Sequence, residues 1–410
     1  MRAAPTGRRL LVAVFLPFAV GYYVSFLFRN VNSIVFPELT EAFDLTPGTL
    51  GLLTSVYFLT FAGAQLPLGV LMDRYGPRRV NATMLLVAAL GGIVFAVAEG
   101  IDTLLFGRAL IGMGVAVCFM SSITVFALWF PLERLATLMG WMLLVGAIGA
   151  ISATKPVELA LRVIDWQTLF VLLSGLAICA SMAILSFVPE KSASAAVGSL
   201  RSQIATVGSI LRDRGFWSLG LASAFVQATG LGLLGLWAGP WMRDVAGLDR
   251  AAMAQDLLFA AGAFGVGGVL CGTLSDRLAR RGVPPLATFF AGCLASTAAL
   301  VPITLGYGEA SLVLWILFIG LCPFGTLAFP LLTARFPREM TGRVVTALNM
   351  VVFLLAFAVQ YSVGAIIGLW PATDGRYALE GYAAAFGLCW VLQAASVAWL
   401  TYAERGALRR

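Results

Sequence analysis

The chain has 410 residues, of which 60% are hydrophobic and only 11% charged, and its mean hydropathy is +0.93. A soluble domain carries about 25% charged residues, so soluble enzymes, nucleic-acid readers and disordered chains are excluded. The net charge of +7 fits the accumulation of Lys and Arg beside the cytoplasmic face of an inner membrane, with no nucleic-acid partner needed.

A helix crosses the hydrocarbon with roughly 20 mostly apolar residues. Turn and charge clusters mark twelve such stretches. The first, near 10–35, follows Arg8 and Arg9 and contains Tyr22, Tyr23 and Arg29. It lacks a short apolar core with a small-residue cleavage site, so it reads as a retained span. The next five fall near 46–72, 79–98, 103–127, 136–162 and 167–188. A polar stretch, 189–213, carries Glu190, Lys191, Arg201, Arg212 and Asp213 and is expected to include a short surface helix. Six more spans follow near 214–239, 253–274, 285–306, 311–334, 343–370 and 380–402. The expected organisation is an N-terminal six-helix bundle over 1–188, a cytoplasmic loop over 189–213 and a C-terminal six-helix bundle over 214–410. With the N-terminus in the cytoplasm, 20 of the 27 basic residues fall in the tails and inside loops. Both termini are therefore expected to be cytoplasmic.

Histidine is absent, which removes His-based catalysis, metal ligation and proton relay. The six cysteines lie in apolar runs with no CxxC pair and read as small buried hydrophobes. Neither a metal site nor a cofactor is expected, and no Ser-His, HExxH or Walker-type signature supports an enzyme. With no ATP-binding motif, the energy for any work must come from an ion or solute gradient, or from a partner.

The chain repeats itself. Gly69-x3-Asp73-Arg74, followed by Gly76, Arg78 and Arg79, recurs 203 residues later as Gly272-x3-Asp276-Arg277, followed by Arg280 and Arg281. Arg134-x2-Thr137 is echoed by Arg343-x2-Thr346, and Trp166-x3-Phe170 by Tyr382-x3-Phe386. Three echoes in order across six-plus-six spans indicate an internal duplication.

On these residues the chain resembles the major facilitator superfamily. The loop after the second span is similar to that family's signature. Leu105-x-Gly107-Arg108-x3-Gly112-x-Gly114 resembles its fourth-span motif, and Asp165-Trp166-Gln167-Thr168-Leu169-Phe170 resembles the entry to its sixth span with two departures. The resemblance covers the whole chain. It implies an all-α membrane protein: twelve transmembrane helices in two six-helix bundles related by pseudo-twofold symmetry. It also implies a central substrate cavity and alternation between inward-open and outward-open states.

Gly69, Asp73, Arg74, Gly76, Arg78, Asp276 and Arg277 are the gating candidates, with an Asp73-centred charge cluster steadying the cytoplasmic closure. The plain reading of the same charges is a solvated positive-inside loop. Arg29 either snorkels to the interface or binds substrate, because an Arg in hydrocarbon costs at least about 2.5–3.5 kcal/mol. Arg29 after two tyrosines also resembles the organic-anion and organophosphate branches. Arg108 either clamps helix-end carbonyls or takes part in coupling. Lys155 and Glu158 either form an i,i+3 pair or act as coupling groups, with Lys155 placed in the cavity beside Arg29. In the second half Gln227, Trp237, Asn349 and Gln360 are the substrate-binding candidates, against the alternative that they only bond across helices. Cys322-Pro323-Phe324-Gly325 and Phe329-Pro330 are expected to break or bend the tenth span where a cavity satisfies the freed carbonyls.

Embedded positive charge outweighs negative in the first half, which attracts carboxylates or phosphates. The expected function is secondary active transport of a small organic anion, coupled to protons or to anion exchange. The rivals are a proton-coupled exporter of lipophilic compounds and a non-transporting receptor on the same scaffold. The antiporter Gly-Pro-x2-Gly-Gly signature is missing from Gly146-Ala147-Ile148-Gly149-Ala150, which counts against the exporter. The expected partners are a small, anionic substrate and membrane lipid, and a monomer is expected.

Overall fold

The computed structural model describes residues 10–130, 132–190, 200–337, 340–373 and 375–405. Among these, twelve helices are long and apolar enough to cross a membrane. They are span 1 (Leu11–Asn30), span 2 (Pro47–Met72), span 3 (Pro77–Ala96), span 4 (Ile101–Trp129), span 5 (Leu138–Ala160) and span 6 (Trp166–Phe187). The second half holds span 7 (Arg214–Asp244), span 8 (Arg250–Arg280), span 9 (Pro285–Thr304), span 10 (Gly308–Thr333), span 11 (Thr341–Ile367) and span 12 (Leu379–Ala403). The surface helix expected in the central stretch is Leu200–Arg212.

Short-range chemistry sets the ends. Three aspartates cap helix starts, satisfying backbone N–H groups that have no partner inside the helix. Asp165 accepts from Thr168 N at 2.7 Å, Asp213 from Phe216 N at 3.1 Å and Asp249 from Ala252 N at 2.8 Å. Span 2 is separated from span 3 by Gly76, whose φ of +82° suits a residue without Cβ, and span 3 then opens on Pro77. It is the backbone conformation, and not close packing, that calls for glycine here, since nothing lies within 4 Å of its Cβ position.

Two compact units result, one from the described parts of Met1–Val31 and Val56–Ile204, the other from Asn32–Ser55 and the described residues from Ala205 on. Each repeats one pairing scheme. In the first unit span 1 packs on span 5, and span 3 packs on spans 4 and 6. In the second, span 7 packs on span 11, and span 9 packs on spans 10 and 12. Each of these three pairs recurs six spans later, in line with the duplication that the sequence echoes indicate.

One departure from the sequence expectations matters. The first span does not run straight to residue 35. Its helix ends at Asn30, and a separate helix, Asn32–Phe43, follows the turn at Val31. By packing, that helix goes with the C-terminal helices: a Cβ on Gly239 would lie 2.9 Å from Ser33 O and 3.3 Å from the Phe36 ring. Glu38 also pairs with Arg250. The tenth span does break, into a tighter turn over Cys322–Leu327. Its freed carbonyls are met by neighbouring side chains. Ser223 Oγ donates to Gly325 O at 2.8 Å, Thr326 Oγ1 to Pro323 O at 2.7 Å and Cys271 Sγ to Pro323 O at 3.6 Å.

Candidate functional site

Arg29 lies in the last turn of span 1 and is only 9% exposed. Aromatic faces surround its guanidinium: the carbon lies 4.7 Å from the Phe26 centroid, 5.3 Å from Phe61 and 5.9 Å from Tyr57. Its Nε donates to Tyr57 Oη at 3.4 Å. A cation over aromatic faces is stabilised by the ring quadrupoles, so the side chain is held inside the unit and does not snorkel.

Arg108, on span 4, is fully buried beside it. Its guanidinium lies 4.8 Å from the Tyr57 centroid, so two cations share one phenol. Arg108 Nη1 donates to Phe28 O at 2.6 Å and Nη2 to Arg29 O at 3.3 Å. Those are carbonyls at the end of the span 1 helix, where intrahelical donors run out. Of the two readings for Arg108, the clamp on helix-end carbonyls is the geometry observed. Gly112 of span 4 brings this region close to span 2: a Cβ there would meet the backbone of Tyr57 and the side chain of Thr60.

Tyr22 is buried, stacked on Phe119 with centroids 5.2 Å apart and set edge-on to Phe26 at 5.0 Å. Tyr23 is half-buried on the next position. Lys155 Nζ sits 2.8 Å from the Glu158 carboxylate, the i,i+3 pair among the sequence alternatives. Arg162 Nε reaches the same buried carboxylate at 2.8 Å, a contact the sequence reading missed.

In the second unit, Trp237 and Gln360 are both fully buried. The Trp237 indole donates to Gln360 O at 2.9 Å and the Gln360 amide to Gly232 O at 3.2 Å, so both donors go to backbone of this unit. Trp237 lies in a widened, π-type turn, Leu233–Trp237. Gln227 is half-buried and donates to Ser223 Oγ at 2.9 Å, joining the group that satisfies the span 10 break. Asn349 is half-buried on span 11.

Among the gating candidates, the Asp73 side chain lies outside those described. Gly69 is half-buried within span 2, while Arg74, Asp276 and Arg277 are exposed. Arg78 reaches Glu190 at 3.5 Å and donates to Leu185 O, and Arg79 reaches Glu190 at 2.5 Å. These contacts fasten the start of span 3 to the end of span 6.

The sequence reading missed Tyr57 and Phe61. Their signal was present: Tyr57, Phe58 and Phe61 put aromatic residues at i, i+1 and i+4 of an apolar helix. It also missed Asp244, whose fully buried carboxylate accepts from Arg243 Nε at 2.5 Å and Nη2 at 3.1 Å. Tyr382 Oη donates to it at 2.8 Å and Tyr377 N at 3.1 Å, which ties the end of span 7 to span 12.

Twelve membrane-length helices in two units that share a pairing scheme, with two buried guanidiniums at one phenol in the first unit, make this a multi-span helical membrane protein. Residues 18–360 match the family model of the Major Facilitator Superfamily, and the chain belongs to that family of multi-pass membrane transporters. It is 22% identical over 302 residues to the probable sulfoacetate transporter SauU of Cupriavidus necator, covering 69% of this chain and 70% of that protein. It is 23% identical over 388 residues to the probable L-galactonate transporter of Escherichia coli, covering 88% and 84%. Its fold matches a solved bacterial homolog of the human lysosomal transporter Spinster in an inward-facing and occupied conformation. That match has a TM-score of 0.74 and 17% identity, and covers 98% of each chain.

Proposed function

We propose that this protein carries a small organic anion across the cell's inner membrane by alternating access, coupled to protons or to exchange against a second anion. The observation that carries this reading is the pair of buried guanidiniums, Arg29 and Arg108, lying 5.9 Å and 4.8 Å from the Tyr57 ring centroid. Two like charges so placed repel, and an arriving carboxylate or sulfonate relieves that repulsion while accepting charge-assisted hydrogen bonds. The relatives that carry galactonate and sulfoacetate by their names support the same class: both substrates are acids.

In this reading Arg29 takes the anionic group and Tyr22 and Tyr23 flank it. Arg108 holds the helix end that presents Arg29 and, being unable to give up its proton, acts in coupling only through neighbours. Lys155 with Glu158 is an embedded pair in this unit that can exchange a proton, so we assign coupling there. Gln227 and Asn349, both half-buried, are the substrate-facing candidates of the second unit; Trp237 and Gln360 hold their surroundings in shape. Gly69, Asp73, Arg74, Gly76, Arg78, Asp276 and Arg277 form the gate, and both termini lie in the cytoplasm.

The test is uptake into proteoliposomes of galactonate, a hexuronate and sulfoacetate, alongside a panel of lipophilic cations. The expected result is saturable uptake of an acid, with Arg29→Gln raising KM roughly tenfold or more, the equivalent of one lost charge-assisted hydrogen bond. Uptake driven by an acid exterior marks proton coupling, and uptake that requires an internal anion marks exchange. Normal acid uptake by Arg29→Gln protein overturns the site. Transport of the cations alone replaces this reading with the exporter.

A further inference from the structure

Span 12 carries an exposed stripe that changes character along its length. Leu388 and Leu392 are 43% and 39% exposed, Trp399 and Tyr402 are 43% and 61% exposed, and Arg405 ends the series in the open. Their spacing follows the i, i+4, i+7 rhythm of one helix face. The Trp399 and Tyr402 rings lie 6.0 Å apart, and the Arg405 guanidinium sits 4.7 Å over the Tyr402 ring. Aliphatic, aromatic and cationic side chains thus follow one another as acyl chain, glycerol and phosphate do in a phospholipid.

A second cationic group is fastened beside this stripe. The Trp399 indole donates to Trp217 O at 3.2 Å, and the Trp217 indole donates to Leu211 O at 2.7 Å. That chain of bonds brings the turn with Arg212 and Arg214, both exposed, to the flank of span 12. The nearby acids are engaged elsewhere. Asp213 caps Phe216 N at 3.1 Å, and Glu404 is held by Arg335 at 2.8 Å. Among the described residues, Arg212, Arg214 and Arg405 have no acidic partner within 4 Å, so the patch is cationic as it stands.

We propose that this end of spans 7 and 12 binds the headgroup of an anionic phospholipid. Arg212, Arg214 and Arg405 receive the phosphates, and Trp399 and Tyr402 lie along the glycerol and upper acyl chain. The aromatic and aliphatic part of the stripe favours an amphiphile over a free phosphate. Basic clusters at the ends of spans attract anionic headgroups, and aromatic side chains settle at headgroup depth. The site is independent of the transported substrate and shares no residue with Arg29 or its neighbours.

The experiment is native mass spectrometry of the purified full-length protein with phosphatidylglycerol or phosphatidylcholine added. Phosphatidylglycerol adducts survive detergent removal in the parent protein, and phosphatidylcholine adducts do not. The Arg212→Gln/Arg214→Gln variant retains phosphatidylglycerol about fivefold less well, while Arg212→Lys/Arg214→Lys keeps most of it. A control with equal charge loss at the end of span 8, Arg280→Gln/Arg281→Gln, retains it like the parent. The proposal is overturned if Arg212→Gln/Arg214→Gln retains the lipid unchanged or if the control loses it equally. Displacement of the lipid by inorganic phosphate overturns it too. Comparable melting temperatures for all variants establish that they are folded.

Discussion

At the scale of single residues, the membrane turns each buried cation into a structural problem with few solutions. Arg29 is surrounded by Phe26, Tyr57 and Phe61, and Arg108 spends two donors on Phe28 O and Arg29 O. A planar guanidinium reaches two carbonyls at once, and an ammonium does not. Arg108→Lys is therefore expected to lose about 1.5–3 kcal/mol of stability, the worth of one charged hydrogen bond, read as a lower midpoint in denaturant. An unchanged midpoint would show the clamp to be dispensable. The sequence showed that Arg29 and Arg108 had to be satisfied, because each sits in an apolar run. It did not show that one phenol, Tyr57, serves both, since that depends on how three helices meet.

At the scale of elements, close approach and end contacts do most of the positioning. A Cβ on Gly107 would lie 2.8 Å from Phe95 N and 2.9 Å from Gly91 O, with no flexible side chain to yield. Gly107→Ala therefore pushes span 4 off span 3, and a melting temperature several degrees lower is expected, as for other overpacked contacts. The end of span 12 offers a pH test. Burial of Glu404 opposes its charge, but hydrogen bonds from Arg335 and Ser218 outweigh that, and its carboxyl is held below the usual glutamate range. A depressed folded value means the pair's contribution is complete above the ordinary carboxylate range, near about 4.3, and is lost as pH falls through the folded value. Melting curves of the parent and Glu404→Gln should thus differ at neutral pH and converge in acid. A constant gap across the range would contradict the assignment. The break in span 10 was legible from Pro323 and Gly325. Its partners Ser223, Thr326 and Cys271 were not, because two of them come from other spans.

At the scale of the whole molecule, the orientation we propose rests on an even number of spans among the described residues and on the distribution of Lys and Arg, which together would set both chain ends in the cytoplasm. Fusions at either terminus should report a cytoplasmic reporter as active and a periplasmic one as silent; the opposite pattern would reverse the orientation. The duplicated pairing of spans 1 with 5 and 3 with 6 by spans 7 with 11 and 9 with 12 gives the sequence echoes a structural counterpart.

Twelve spans, their approximate limits, the six-plus-six repeat and the family were all determined by the sequence itself. These properties follow from local apolar runs, caps and punctuation, which act over a few residues at a time. Only the tertiary structure decided that the first span ends at Asn30, that Asn32–Ser55 packs with the C-terminal helices, and that Lys155 and Arg162 converge on Glu158. It alone brought Arg29 and Arg108 to one ring. The physical reason is that a buried polar group must find a partner, and composition states that need without naming the partner. Which partner it finds depends on the rotation and register of helices far apart in the chain.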